Sequence, residues 1–247
     1  MNKAVRVPAR VLAQLRRVST PTLTTIALVD YGLRNISIRD VWPCSPDDCS
    51  FAGPAVTIRY LPLREDLMGA QHLDHKDNVV RPTIEAMRKG SVAVLDANGR
   101  ADVGMLGGNL VMRMKSLGVA GVVTDGGMRD IPEIAGVGLP VFMTASAAPP
   151  SFTELMAVDA GVPVSCGGVP VFPGDIIVAD AEGVVCLPSR IAADLAAKGE
   201  QKDHVEGYVH QRLARGEPLK GLYPPGPRVM RDYESWVKDG EPPLSKK

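Results

Sequence analysis

The chain has 247 residues, 45% of them apolar and 23% charged, with 28 Lys+Arg against 28 Asp+Glu. This is the profile of one large soluble globular domain, or of a domain with an appended arm, able to bury a core without staples. The balanced charge makes no field that would gather nucleic acid or an anionic membrane, and no apolar run approaches the roughly 20 residues of a membrane span.

The first 18 residues carry charges throughout instead of the apolar stretch of a signal peptide, which predicts a short amphipathic helix and a cytoplasmic protein. Helices are expected over 8–18 and 22–34, the second starting after Pro21 with Thr22 as its cap. Residues 35–52 read as a loop. Cys44 and Cys49 flank SPDD there, and no second Cys/His pair at ligand spacing accompanies them, so they read as loop thiols. GPAVTIRYLPL (53–63) alternates and reads as a strand. A charged stretch containing His72, Asp74 and His75 follows, read as a solvated loop placed to close over a cleft. Then come a helix near 79–88 and the strand SVAVLDA (91–97).

From there the pattern is periodic. Leu106, Leu110, Val111, Met114 and Leu117 recur at helical spacing and stop at Gly118. VAGVVT (119–124) is a short buried strand, IPEIAGVG a brief helical turn, and LPVFMT (139–144) another strand. This order predicts parallel strands joined by crossover helices. After Pro150, VPVSCGGVPVFPGDIIVADAEGVVCLP strings short strands between tight turns, a meander or barrel-like half in which Cys166 and Cys186 act as small hydrophobes. A helix from near Ser189 and a second, charged one lead to a Pro-rich tail anchored by Tyr223, Tyr233 and Trp236. The expected organisation is an α/β domain over 1–195 and a helical, Pro-rich arm over 196–247. That arm is expected to lack a core of its own and to pack at a subunit interface.

The chemistry concentrates in GMLGGNLVMRMKSLGVAGVVTDGGMRD (104–130). Gly107, Gly108 and Asn109 open a helix, where glycines admit a ligand to the backbone and free N–H groups favour an anion. The strand then ends in Gly126-Gly127, read as a sharp turn that exposes Arg129 and Asp130. Ligands of parallel sheets bind beyond the carboxyl ends of the strands, so both halves are expected to face one cleft.

These two motifs, followed by the CGGVPVFPGDIIVADAEGVVCLP segment (166–188), resemble the class II pyruvate aldolases of the 4-hydroxy-4-methyl-2-oxoglutarate / 4-carboxy-4-hydroxy-2-oxoadipate type. They equally resemble the RraA-like relatives of those enzymes, the non-catalytic regulators of ribonuclease E activity. The resemblance runs from about Gly53 to Pro188. It implies a swivelling β/β/α fold with a central barrel-like sheet, assembled as homotrimers or hexamers with sites between subunits. It implies a substrate-binding loop at Gly107, Gly108, Asn109 and Leu110, a substrate-binding and catalytic Arg129, and a metal-binding Asp130, which the regulators lack. A glutamate from a neighbouring subunit's C-terminal region reaches the site in these aldolases, and Glu206 or Glu200 stands for it here. Many aldolases carry an acidic residue where this chain has Gly108, so its task must be performed otherwise.

The implied reaction is cleavage of a 4-hydroxy-2-oxo acid to pyruvate with Mg²⁺ or Mn²⁺, with oxaloacetate decarboxylation as a side activity. Mg²⁺ often needs only one or two protein carboxylates. Two other readings stay open: a non-catalytic regulator of an RNA-processing enzyme, and a lyase or hydratase for sugar-derived 2-keto acids. Schiff-base chemistry needs a desolvated lysine, and Lys76, Lys89 and Lys115 all lie in polar surroundings.

Overall fold

The computed structural model describes residues 5–67 and 78–242, so His72, Asp74, His75 and Lys76 lie outside the described residues. Two helices open the chain, α1 (Ala9–Leu15) and α2 (Thr20–Tyr31). The second begins earlier than expected because Ser19, not Thr22, is its cap: Ser19 Oγ accepts from the Thr22 amide at 3.3 Å. Asp180 fastens the same end, accepting from the Thr20 amide at 2.7 Å and its hydroxyl at 2.8 Å. Gly32, at φ 65°, ends the helix in the left-handed region.

The stretch expected as a loop carries two short strands, β1 (Ser37–Ile38) and β2 (Trp42–Pro43). The long strand β3 (Phe51–Pro62), helix α3 (Val80–Glu85) and strand β4 (Val92–Asp96) follow, then α4 (Gly108–Ser116), β5 (Gly121–Thr124), β6 (Gly127–Met128), α5 (Ile131–Val137), β7 (Val141–Met143) and β8 (Ala145–Ser146). The remainder is β9 (Leu155–Ala160), β10 (Val164–Cys166), β11 (Val169–Val171), β12 (Ile176–Asp180), β13 (Gly183–Leu187), α6 (Ala192–Ala214) and α7 (Pro227–Lys238). No helix among the described residues is long and apolar enough to cross a membrane.

The fold is a mixed α/β structure around a nine-stranded sheet in the order β1-β13-β12-β3-β4-β5-β7-β2, with β9 also paired to β3. Strands β3, β4, β5 and β7 run parallel, as the alternation of strands and helices predicts. The meander is antiparallel and continues the same sheet through β12. Strand β3 joins the halves: Phe51–Pro54 pair with β12, and Ala55–Arg59 pair with β4. In β4, Val92 and Val94 enter one core cluster while Ala93 and Leu95 enter another, so both faces are covered and the strand reads as an unbroken apolar run. Phe51 meets Phe142 edge-to-face at 5.9 Å, and Gly121 has no room for a side chain because its Cβ would lie 2.5 Å from the Phe51 ring.

The C-terminal region departs from expectation in three ways. Helix α6 is one 23-residue helix rather than two, and the division after residue 195 falls inside it. Leu195 and Ala196 are fully buried against α1, α2, β12 and β13, and a Cβ on Gly199 would strike Val18 Cγ1 at 2.5 Å. The tail contains helix α7, with Pro227 in its first turn, where a proline costs nothing. The arm also has its own small cluster, of Tyr208, Val209, Leu222, Val229 and Trp236, because one face of α7 and the end of α6 are both apolar.

Trp236→Ala should therefore open this cluster alone. Hydrogen exchange should show lost protection over residues 217–240, with the amides of β4 and β5 still protected. Loss of protection throughout the sheet would mean that the arm is part of the main cooperative unit.

Candidate functional site

The site lies beyond the carboxyl ends of β4 and β5. Its geometry comes from an exclusion. Neither Gly126 nor Gly127 has a positive φ, so they do not serve as the sharp turn that the sequence suggested. They are glycines because the chain is squeezed there: a Cβ on Gly127 would lie 2.7 Å from the carbonyl oxygens of both Ala101 and Val103, and one on Gly126 would lie 2.5 Å from Ala97 Cβ. Gly104 packs against the same segment, its missing Cβ 2.7 Å from Arg129 Cβ. Backbone bonds hold the passage, from Met105 N to Gly127 O at 2.9 Å and from Arg129 N to Leu106 O at 3.2 Å. The unusual backbone is at Asp130 instead, with φ 59° and ψ 37°. Aspartate tolerates this left-handed conformation better than most residues, at a cost on the order of 1 kcal/mol.

That conformation turns the Asp130 carboxylate toward α4. Its Oδ2 accepts from the Gly108 amide at 3.2 Å and would lie 2.4 Å from a Cβ on Gly107, so it serves the N-terminus of a neighbouring helix. Arg129 Nε lies 3.5 Å from Asp130 Oδ1, and both side chains are about 40% exposed, so this is a surface-type pair of small net strength. The Leu110 amide donates to Gly107 O, which narrows the candidate anion donors of the loop to the amides of Gly107 and Asn109.

A cavity of about 580 Å³ opens in front of this wall, lined by Gly107, Asn109, Leu110, Arg129 and Asp130. Five of the residues singled out in the sequence thus meet in one place. Gly108 is buried and does not line it. The far side is largely apolar, with Val80, Phe152 and Ala157; Tyr60 also lines it, and burial pushes that phenol's pKa up. Phe152 and Tyr60 sit far from the motif in sequence, and nothing local marked them. Among the described residues no lysine lines the cavity, and Lys115 Nζ is spent on the Gly138 carbonyl.

Glu206 and Glu200 do not reach this cavity within the chain. Glu200 accepts from Gln14 Nε2 at 3.0 Å and pairs with Arg17 at 2.5 Å. Glu206 lies 3.9 Å from Lys202. Cys44, Cys49, Cys166 and Cys186 are free thiols whose pKa values burial raises, and among the described residues no group of three or more His, Cys, Asp or Glu side chains is arranged to hold a metal ion.

Behind the site, Asp125 ties the sheet to the meander. Its Oδ1 accepts from Ala97 N at 2.7 Å and its Oδ2 from Gly167 N at 3.3 Å. Asp96 does the same from Ser165 N at 3.0 Å. Burial raises the Asp125 pKa, the neighbouring Asp96 carboxylate adds to the rise, and the backbone amides of Ala97, Gly167 and Gly99 work against it.

A model of the RraA-like family, "Aldolase/RraA", matches residues 20–186. The chain belongs to the RraA-like family. A protein of Halalkalibacterium halodurans named "Putative 4-hydroxy-4-methyl-2-oxoglutarate aldolase" is 36% identical over 113 residues, which are 46% of this chain and 53% of that one. The match therefore spans about half the length of that relative. A protein of the same name from Albidiferax ferrireducens is 34% identical over 178 residues, covering 70% of this chain and 99% of its own. Among solved structures, a Streptomyces coelicolor protein described as an unusual member of the RNase ES inhibitor RraA protein family superposes with a TM-score of 0.75 at 30% identity, over 84% of this chain and 99% of that one. The RraA-like family thus contains both relatives named for an aldolase and relatives named for inhibition of an RNase.

Asp125→Asn should destabilise the protein by about 1–3 kcal/mol in urea unfolding, because the carboxamide can accept from only one of the two amides. An unchanged midpoint would show that the two bonds contribute nothing net.

Proposed function

We propose that the protein is a divalent-metal-dependent lyase that cleaves a 4-hydroxy-2-oxo acid and releases pyruvate. The observation that carries this reading is the meeting of Arg129, Asp130 and the Gly107–Leu110 backbone on one wall of a cavity of small-molecule size. Retro-aldol cleavage passes the proton of the C4 hydroxyl to a water molecule acting as base, breaks the C3–C4 bond to leave a carbonyl at C4 and an enolate on the pyruvate half, and returns a proton from water to C3 to give pyruvate. Arg129 is placed to donate charge-assisted hydrogen bonds to the oxygen on which that charge collects. The amides of Gly107 and Asn109 are the donors available to the substrate carboxylate.

Asp130 suits a small hard cation, since its carboxylate is at the cavity wall, half-exposed and only weakly paired with Arg129. Bound there, Mg²⁺ or Mn²⁺ would supply Lewis-acid polarisation of the keto group. Oxaloacetate decarboxylation would use the same arrangement, since it also leaves pyruvate as an enolate.

Assembly into trimers or hexamers belongs to the same proposal, with Glu206 of a neighbouring copy completing the cavity. Glu200 is the poorer choice because Gln14 and Arg17 of its own chain already hold it. Truncation after Pro188 would not test this cleanly, because α6 is part of the main core.

Pyruvate release from 4-hydroxy-2-oxo acids with Mn²⁺, followed by a coupled assay, is the direct test. Arg129→Ala should lower turnover by roughly 10²–10³-fold, and Arg129→Lys should restore only part of it, because a point charge cannot reproduce the planar fork. Asp130→Asn, which keeps a side chain tolerant of the left-handed backbone, should abolish metal-dependent turnover without unfolding the protein. Wild-type protein that binds Mn²⁺ and releases no pyruvate from any 2-oxo acid would favour a binding-only role like that named for the Streptomyces relative.

A further inference from the structure

The charges of the cavity stand on one wall. Among the described residues Arg129 and Asp130 are the only charged side chains in its lining, and the reading above commits both to the pyruvyl half of the substrate. What is left for the distal half is neutral. Strands β3 and β9 set Tyr60 opposite Ala157 in register, and Val80 comes from the first residue of α3. Phe152 sits on the short turn Ser151–Thr153, which two backbone bonds clip to Gly104: Gly104 N to Pro149 O at 2.7 Å, and Ser151 N to Gly104 O at 3.0 Å. The same Gly104 packs against Arg129, so one residue positions both the ring and the guanidinium. Phe152 is 51% exposed, an aromatic surface that its own chain leaves open. Asn78 Oδ1 is spent on capping α3, accepting from the Val80 amide at 3.0 Å and the Arg81 amide at 3.3 Å. Tyr60 is 3% exposed, its hydroxyl has no partner among the described residues, and burial keeps it protonated.

We infer that the cavity selects 4-hydroxy-2-oxo acids whose substituent on C4 is uncharged and apolar, a branched alkyl or aryl group, and that Val80, Phe152 and Ala157 read it. The inference rests on the lyase reading above, which orients the substrate with its C1 carboxylate at the amides of Gly107 and Asn109. A distal carboxylate, such as the one in the compound for which the aldolase relatives are named, would be desolvated against this wall without a cation. An ion buried unpaired is far more costly than one buried with its partner. An apolar group gains instead by covering Phe152 and Val80. The Tyr60 hydroxyl offers one neutral donor there, which suits a hydroxyl or carbonyl oxygen and does not replace the hydration of a carboxylate. The volume agrees: about 580 Å³ falls in the range that encloses drug-sized molecules, roomier than a five-carbon diacid requires.

The test uses the full-length protein with Mn²⁺ and two acids of one shape, 5-methyl-2-oxohexanoate and 2-oxoglutarate, which differ in replacing a carboxylate by an isopropyl group. Neither has a C4 hydroxyl, so neither is cleaved, and titration calorimetry should show the isopropyl acid binding at least about 10-fold more tightly. In turnover, kcat/KM for 4-hydroxy-5-methyl-2-oxohexanoate should exceed that for 4-hydroxy-2-oxoglutarate by roughly 10²-fold or more. Phe152→Arg supplies the missing cation at an exposed position and should narrow or reverse both ratios; thermal unfolding checks that the variant is folded. Equal or tighter binding of 2-oxoglutarate by the wild type would show that a cation outside the described lining meets the second carboxylate. That result would overturn the inference, and pyruvate release from the hydroxylated diacid would then leave the lyase reading standing. Ratios unchanged in a folded Phe152→Arg would overturn the part assigned to Phe152. Preference for the isopropyl acid in binding, with no pyruvate from any 4-hydroxy-2-oxo acid, would remove the lyase reading and leave the selectivity of the cavity in place.

Discussion

The site depends on a steric exclusion more than on any attractive contact. Residues 124–130 pass between the backbone of Ala101–Gly104 and Ala147 with no space for a Cβ at Gly127, where two carbonyl oxygens would stand 2.7 Å away. Because that passage is so narrow, it fixes the course of the next three residues. Met128 is fully buried, Arg129 emerges beside Leu106, and Asp130 must take up the change of direction. A glycine at 130 would adopt the same backbone more cheaply, yet the chain places an aspartate there and accepts the strain. Strain retained at a cavity wall is the kind of local cost that points toward use of the side chain.

Polar groups behind this wall explain why it holds its shape. Asp125 and Asp96 each accept backbone amides from the β10–β11 region, so the meander is fastened to the carboxyl ends of the parallel strands by one half-buried and one buried carboxylate. Such groups are costly to desolvate and correspondingly costly to disconnect. The carboxylates in front of the wall are of the opposite kind. Asp130 and Glu133 are exposed, lightly paired, and gathered where a helix begins.

Much of this was legible in the sequence, and what was missed has physical reasons. The parallel strands announced themselves because both faces of β4 and β5 are buried, leaving unbroken apolar runs. Arg129 and Asp130 were legible as a pair, and so was their meeting with Gly107, Asn109 and Leu110, since crossover topology leaves little choice of arrangement. The reason for Gly126-Gly127 was misread: tight packing and a positive φ leave the same letter in a sequence, and only coordinates separate them. Helix α7 was hidden by its own proline, which reads as a breaker in a tail and acts as a starter at a first helical turn. Ser19 lost out to Thr22 because a cap is identified by which oxygen reaches which amide, a matter of angstroms.

Strand β3 has one more consequence. Its first residues complete the antiparallel half and its later ones the parallel half, so the two halves share this one strand. The two halves cannot be separated as modules, exchanged between proteins, or joined as a fusion of independent parts. Any division of the gene that kept both products folded would have to spare Phe51–Pro62 and bring the fragments together on it. The boundary that composition suggests near Pro150, where helices give way to hairpins, is thus a change of architecture within a single indivisible unit.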